Sequence, residues 1–222
     1  MKRLKQAGAL LLSLAMITSL TACSSTGSSD SSSDTSDVSG TESQTTTTSY
    51  DVTNPDDMSS LIFDSSAWNY DADNDVYWQI GVSYCANPEA EDYESLGIYV
   101  PGAYMNATDN GDGTYTCTIN TENSVGSYTA DTAPIVMPIN TAGYSAQEAP
   151  TSYSYSGLSE YLEAGYIYVY AGCRGRSNGE NSDGSTYSGG APWGVTDLKA
   201  AVRYLRYNEA LLPGNTDSIF TF

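Results

Sequence analysis

Tyr166 to Ala171 reads YIYVYA, six β-prone residues with no charge, proline or glycine among them. An uninterrupted apolar run of this length is what a strand buried on both faces of a parallel sheet requires. Upstream, Leu158, Tyr161 and Leu162 recur at helical spacing and stop at Gly165, and before them Ile135 to Ile139 (IVMPI) forms a second short buried strand. Downstream, Leu198, Ala201, Val202 and Leu205 make the apolar stripe of a stronger helix. Thr196 or Asp197 is placed to cap its start, Asp197 to meet the positive end of its dipole, and Arg203 and Arg206 the negative end. The helix ends by Pro213-Gly214, and a last apolar strand with Ile219, Phe220 and Phe222 begins near Ser218. Strand, helix, strand, helix, strand with short connections means two right-handed crossover units on a parallel sheet.

The residues before Pro134 follow a different pattern. Asp75 to Tyr84 (DVYWQIGVSY), Glu94 to Tyr104 (ESLGIYVPGAY) and Thr114 to Ile119 (TYTCTI) are rich in β-branched and aromatic residues and separated by turn residues, as in an antiparallel sheet. The expected fold class is α/β, with an antiparallel β start followed by parallel β-α-β-α-β. In such sheets ligands gather at the carboxyl ends of the strands, here Asn140 to Tyr144, Gly172 to Asn178 and whatever follows Phe222.

The remaining sequence gives the chain an address. Met1-Lys-Arg-Leu-Lys5 is a basic leader, Ala7 to Leu20 an apolar stretch too short for a stable span, and together they read as a secretory signal over residues 1–22. Leu20-Thr-Ala-Cys23 resembles the lipobox of bacterial lipoproteins, which implies a diacylglyceryl group on Cys23 and a protein anchored to the outer face of the cell membrane. Residues 23–50 are Ser, Thr, Asp and Gly with scarcely an apolar side chain, so they cannot offset their chain entropy by burial and read as a disordered tether. The ordered domain is expected over residues 51–222.

With 27 Asp and Glu against 8 Lys and Arg, the surface repels phosphates, which excludes nucleic acid as a partner. The chain has no histidine, so neither a zinc site nor a histidine-dependent triad can be completed within it, and no cofactor is implied. Asp71, Asp73 and Asp75 have the alternate spacing of a calcium loop. The sixth and twelfth positions of that loop are Val76 and Val82 instead of Gly and Glu, so these acids, like Asp109 and Asp112, read as turn carboxylates. Cys85, Cys117 and Cys173 permit one disulfide and a leftover thiol, or three small buried hydrophobes, and their spacing does not choose.

The stretches YIYVYAGCRGRSNG, GGAPWGVTDLKAAVRYLRYN and LLPGNTDSIFTF, spanning Tyr166 to Phe222, resemble the α/β-hydrolases, and among them the bacterial esterases grouped with tannase and feruloyl esterase. Gly172-Cys-Arg-Gly-Arg-Ser177 is similar to the Arg-Gly-x-Gly/Ser loop that follows the fourth strand in that family. The resemblance implies that Asp217 to Phe222 is the strand feeding a G-x-S-x-G nucleophile elbow, with the chain the front part of a longer protein whose serine follows Phe222. It implies ester hydrolysis by a serine, a histidine and an acid, all three absent from this stretch of chain, on a small-molecule ester such as a plant-derived aromatic one. One oxyanion donor comes from the loop after the third strand, often His-Gly-Gly-Gly. Asn140-Thr-Ala-Gly-Tyr144 occupies that place but departs from the motif, which nominates the backbone of Thr141 or Ala142, with Gly143 allowing close approach. Arg174 and Arg176 either brace their loop through carboxylates or meet substrate, bracing being the commoner use of such arginines. The alternatives are a noncatalytic surface lipoprotein that binds glycans or peptides through its tyrosine-rich strands, and a serine peptidase of the same fold.

Overall fold

Strand β9, Ile167–Ala171, sits inside a six-stranded mixed sheet and sends its residues alternately to two different layers. The computed structural model describes residues 58–222. The signal segment, Cys23 and the tether of residues 23–50, together with residues 51–57, lie outside the described residues.

In chain order the strands are β1 Asn69–Asp71, β2 Val76–Ser83, β3 Ser95–Pro101, β4 Met105–Asp109, β5 Tyr115–Ile119, β6 Ser124–Val125, β7 Tyr128–Thr129, β8 Pro134–Met137, then β9, β10 Gly179–Glu180, β11 Thr186–Tyr187 and β12 Asn215–Thr221. Helix α1, Ser159–Glu163, lies between β8 and β9, and helix α2, Ala191–Tyr207, between β11 and β12. The main sheet runs β1-β2-β3-β9-β8-β12. Its first three junctions are antiparallel, whereas β9 with β8 and β8 with β12 are parallel. The chain lays down β8 first, then adds β9 on one side of it and β12 on the other as the edge strand, all three parallel, so their carboxyl ends open on one rim. TYTCTI does not join this sheet; as β5 it pairs with β4 in a separate hairpin, tied to the rest by the bridge between Trp68 and Tyr115.

Burial explains the alternation in YIYVYA. Ile167, Val169 and Ala171 are buried in the larger core with Leu96, Ile98, Ile135 and Met137, where Ala201, Tyr204 and Leu205 of α2 cover them. Each fully buried aliphatic side chain there contributes about 1.5–3 kcal/mol relative to exposure. Tyr168 and Tyr170 turn to the opposite face and pack, half-buried, with Tyr99, Leu158 and Leu162. Across that face runs a row of rings: Trp78 to Tyr153 at 4.9 Å, Tyr153 to Tyr99 at 6.1 Å, Tyr99 to Tyr168 at 6.0 Å, Tyr168 to Tyr161 at 5.3 Å and Tyr161 to Phe222 at 5.8 Å. All lie in the range favoured by aromatic pairs. Apolar continuity in the sequence thus hid two chemically distinct faces.

Gly165 ends α1 as expected, at φ 86°, where its missing Cβ also avoids the carbonyl of Val125. The start of α2 differs from the expectation. The helix begins at Ala191, with Gly190 at the cap and a proline in its first turn, and Thr196 and Asp197 lie inside it. Proline at the first helical positions loses no hydrogen bond and is preset in φ, which moved the start five residues upstream of the polar pair.

Asp71 and Asp75 accept hydrogen bonds around their turn, and Asp71 also ties it to Tyr153. Asp71 accepts the N–H groups of Asp73 and Asn74 and the hydroxyl of Tyr153, and Asp75 accepts the hydroxyl of Tyr70. Cys85, Cys117 and Cys173 are all free thiols, the last two buried.

The tyrosine-rich packing sets the alkaline limit. Burial pushes Tyr77, Tyr99, Tyr168 and Tyr187 up to about 12, and Cys117 and Cys173 up to about 11. The folded state therefore holds these protons more tightly than the unfolded chain, whose values lie near 10 for tyrosine and 8.5 for cysteine. Stability is complete below the unfolded values and is lost as pH rises from about 9 to about 12. In a tyrosinate absorbance titration the folded domain should show a late group of tyrosines that ionise together with unfolding. A single ordinary titration of every tyrosine with no loss of structure would contradict this.

Candidate functional site

The rim where β8, β9 and β12 end carries a short turn held from three sides. The N–H of Ile139 donates to the carbonyl of Phe222 at 2.9 Å, so the end of β12 lies directly beside the last residue before Asn140. A single turn of 3-10 helix follows at Ala142–Tyr144. The N–H of Tyr144 donates to Thr141 and that of Ser145 to Ala142, as such a turn requires. The N–H groups of Thr141, Ala142 and Gly143 precede those bonds and donate no backbone hydrogen bond among the described residues. Unsatisfied donors at a helix start are a ready anion site in miniature. The structure thus sets the three sequence-nominated residues on one turn at the strand ends, with Gly143 at φ 65°.

Gln147, which the sequence did not single out, fixes this turn. It is buried, and its Oε1 accepts the N–H of Asn140 while its Nε2 donates to the carbonyls of Ala171 at 2.7 Å and Pro138 at 3.3 Å. Its backbone also bridges to Cys173, N–H to carbonyl in both directions at 2.9 and 2.8 Å. One side chain therefore joins the ends of β8 and β9 to the start of the turn. No spacing rule marks a lone glutamine in a loop, and only the three-dimensional arrangement gives it this role.

The loop Gly172 to Ser177 closes the other side. Gly175 lies so near the backbone of Ala146 that any Cβ would collide with it. The N–H of Arg176 donates to the carbonyl of Tyr144 at 2.8 Å, while the Arg176 side chain is exposed. Arg174 points inward. Its backbone N–H and its Nε reach Asp197 Oδ2 at 2.9 and 3.0 Å, and its Nη2 reaches Asp197 Oδ1 at 2.8 Å. Nη1 meets Glu89 at 2.9 Å and Nη2 meets Glu94 at 3.4 Å. The guanidinium also lies 5.5 Å from the ring centre of Trp193, within cation–π range. Its hydrogen bonds to Asp197, helped by the charges of Asp197, Glu94 and Glu89 and opposed by burial, raise its pKa further above the ordinary arginine range. Glu94 in turn accepts the N–H groups of Glu89 and Ala90, both at 2.7 Å. Asp197, expected at the helix cap, is instead a buried counter-ion projecting from the body of α2. Arg174 is thereby placed as a brace for its loop, with its donors turned away from solvent.

Between turn and loop lies a cleft of about 180 Å³, lined by Thr141, Tyr144, Ser145, Arg174, Gly190 and Val195 among others. A complete small-molecule pocket runs to roughly 300–1,000 Å³, so this cleft by itself is smaller than one. No metal-holding cluster of three or more His, Cys, Asp or Glu occurs among the described residues. No helix among them is long and apolar enough to cross a membrane.

No protein-family model matches the chain, and no curated protein matches it by sequence. Solved structures do. The tannin acyl hydrolase of Lactobacillus plantarum is 31% identical with a TM-score of 0.55, over 74% of this chain and 35% of that one. A tannin acyl hydrolase in complex with ethyl gallate is 30% identical with a TM-score of 0.54, over 72% of this chain and 34% of that one. The tannase of Fusobacterium nucleatum is 31% identical with a TM-score of 0.51, over 66% and 28%. The chain spans about a third of the length of the structures it matches, and over that third its architecture is tannase-like.

Proposed function

We propose that this chain is the front portion of a serine ester hydrolase of tannase type, and that the turn at Thr141, Ala142 and Gly143 supplies backbone donors to its oxyanion hole. The observation that carries the reading is the hydrogen bond from Ile139 to Phe222, which sets the end of β12 beside the segment that runs on into the turn with those three N–H groups. A nucleophile delivered by the residues after β12 would face them. When its hydroxyl attacks an ester carbonyl, charge develops on the carbonyl oxygen, and a preorganised N–H at hydrogen-bond distance stabilises that charge by about 3–4 kcal/mol. The nucleophile, its histidine and the orienting acid belong to sequence beyond Phe222, in keeping with a chain without histidine and with the length of the similar structures.

The substrate class on this reading is an ester of an aromatic acid, supported by the likeness to tannin acyl hydrolases, one of them in complex with ethyl gallate. A lipid on Cys23 would hold the enzyme at the outer face of the membrane, with residues 23–50 as its leash. The test compares two proteins on a chromogenic acetate and on a gallate ester. Residues 23–222 alone are expected to give no turnover of either. The product of the uninterrupted reading frame is expected to hydrolyse both and to lose activity when the serine of its G-x-S-x-G is replaced. Turnover by residues 23–222 alone, or a stop codon directly after Phe222, would overturn the reading.

A further inference from the structure

Two non-glycine residues among the described ones have positive φ, Asp75 at 53° and Tyr144 at 60°. Aspartate tolerates that region because its short side chain bonds locally, as Asp75 does with Tyr70. A tyrosine does not, since its Cβ crowds the following carbonyl without compensation. Tyr144 nevertheless follows a glycine already at φ 65°, so the chain makes two left-handed steps where one has been given the permissive residue. The conformation is imposed from both sides, by the N–H of Tyr144 on Thr141 and the N–H of Arg176 on the Tyr144 carbonyl.

The ring that results is also 61% exposed, which forgoes the burial that would normally repay a large aromatic residue. Strain and exposure thus fall on the same side chain, and that side chain lines the cleft beside the free N–H groups of Thr141, Ala142 and Gly143. Stored backbone strain of this kind concentrates where a side chain must be presented to a ligand. In an ester of an aromatic acid the ring is bonded directly to the carbonyl carbon. If that oxygen sits on the turn's N–H groups, the ring lies within reach of an aromatic side chain one to three residues further along the same turn.

We propose that Tyr144 is a specificity-determining residue, a platform on which the acyl ring of an aromatic ester stacks while its carbonyl engages the adjacent backbone. This rests on the ester-hydrolase reading and adds to it the residue that selects an aromatic acyl group over an aliphatic one. Stacking acts on ground state and transition state alike, so its loss appears in KM and leaves kcat in place.

The test uses the complete gene product and three variants. Tyr144→Asn removes the ring and substitutes a residue at home in the left-handed region; Tyr144→Phe keeps both ring and strain; Tyr144→Leu removes the ring but keeps the strain. For an alkyl gallate, Tyr144→Asn and Tyr144→Leu should raise KM roughly tenfold and Tyr144→Phe less than about twofold, and the preference for gallate over butyrate, taken as the ratio of the two kcat/KM values within each variant, should fall by the same factors. Tyr144→Asn should at the same time raise Tm by about 2–4 °C, the opposite sign to its effect on binding. A gallate KM unchanged in Tyr144→Asn and Tyr144→Leu overturns the platform and leaves the esterase reading standing. If the wild-type gene product hydrolyses no ester, that reading fails, and calorimetric binding of ethyl gallate decides the platform separately. A Kd weakened roughly tenfold in Tyr144→Asn supports it; no binding, or an unchanged Kd, overturns it.

Discussion

Replacing Arg174 with methionine is expected to destabilise the domain by about 3–5 kcal/mol, as measured by urea unfolding. The methionine fills much of the same space, so the loss reports charge more than volume. Asp197 and Glu94 are both buried, and without the guanidinium their carboxylates face each other with no cation within reach. The backbone N–H of residue 174 still donates to Asp197, but one neutral donor does not offset two buried anions. Arg174→Lys should recover only part of the loss, because an ammonium cannot make the two-pronged contact with Asp197 and reach Glu89 as well. Adding Asp197→Leu and Glu94→Gln to Arg174→Met should restore most of the stability, since a buried charge cluster replaced as a whole is close to neutral. If Arg174→Met alone unfolds in urea within about 1 kcal/mol of wild type, the cluster is not the brace that its geometry indicates.

Gln147→Leu is the second substitution with a large expected effect, about 2–4 kcal/mol by the same measurement. Leucine is similar in size but leaves the N–H of Asn140 and the carbonyls of Pro138 and Ala171 without the partner that joins them. Each is a buried or half-buried backbone group, and a lost partner costs its desolvation. Gln147→Glu discriminates further. It can still accept from Asn140 but, when ionised, presents a carboxylate to two carbonyl oxygens, so its deficit should shrink as pH falls and the carboxyl regains a proton to donate. If the turn has the proposed oxyanion role, both variants of the complete protein should lower kcat more than they raise KM.

Much of the frame was legible because it rests on periodicity. The stripe of Leu198, Ala201 and Leu205, the stop at Gly165 and the apolar strands at Ile135 and Ile167 are local signals that tertiary packing did not override. The start of α2 was misplaced because two rules competed: a polar pair that resembles a cap at Thr196-Asp197, and a proline in the first turn, which prevailed. Asp197 was free to serve elsewhere, as the counter-ion of Arg174, a pairing of residues 23 apart that no linear pattern announces. The turn at Thr141 to Gly143 was found through family likeness and its position after a strand. Gln147 and the strained Tyr144 were not found at all, since one depends on backbone groups from the segment after β8 and from the end of β9, and the other on a dihedral angle.

The hydrogen bond from Ile139 to Phe222 also has a consequence for handling the protein. β12 is the last strand in its sheet among the described residues, with Phe220 and Phe222 more than half exposed, so the far side of its backbone offers a ladder of open rungs. Any extended segment that arrives first can climb onto it, and in concentrated solution that segment belongs to another molecule. Preparations of this chain should therefore form dimers and larger species as concentration rises, which sedimentation velocity over a concentration series would follow.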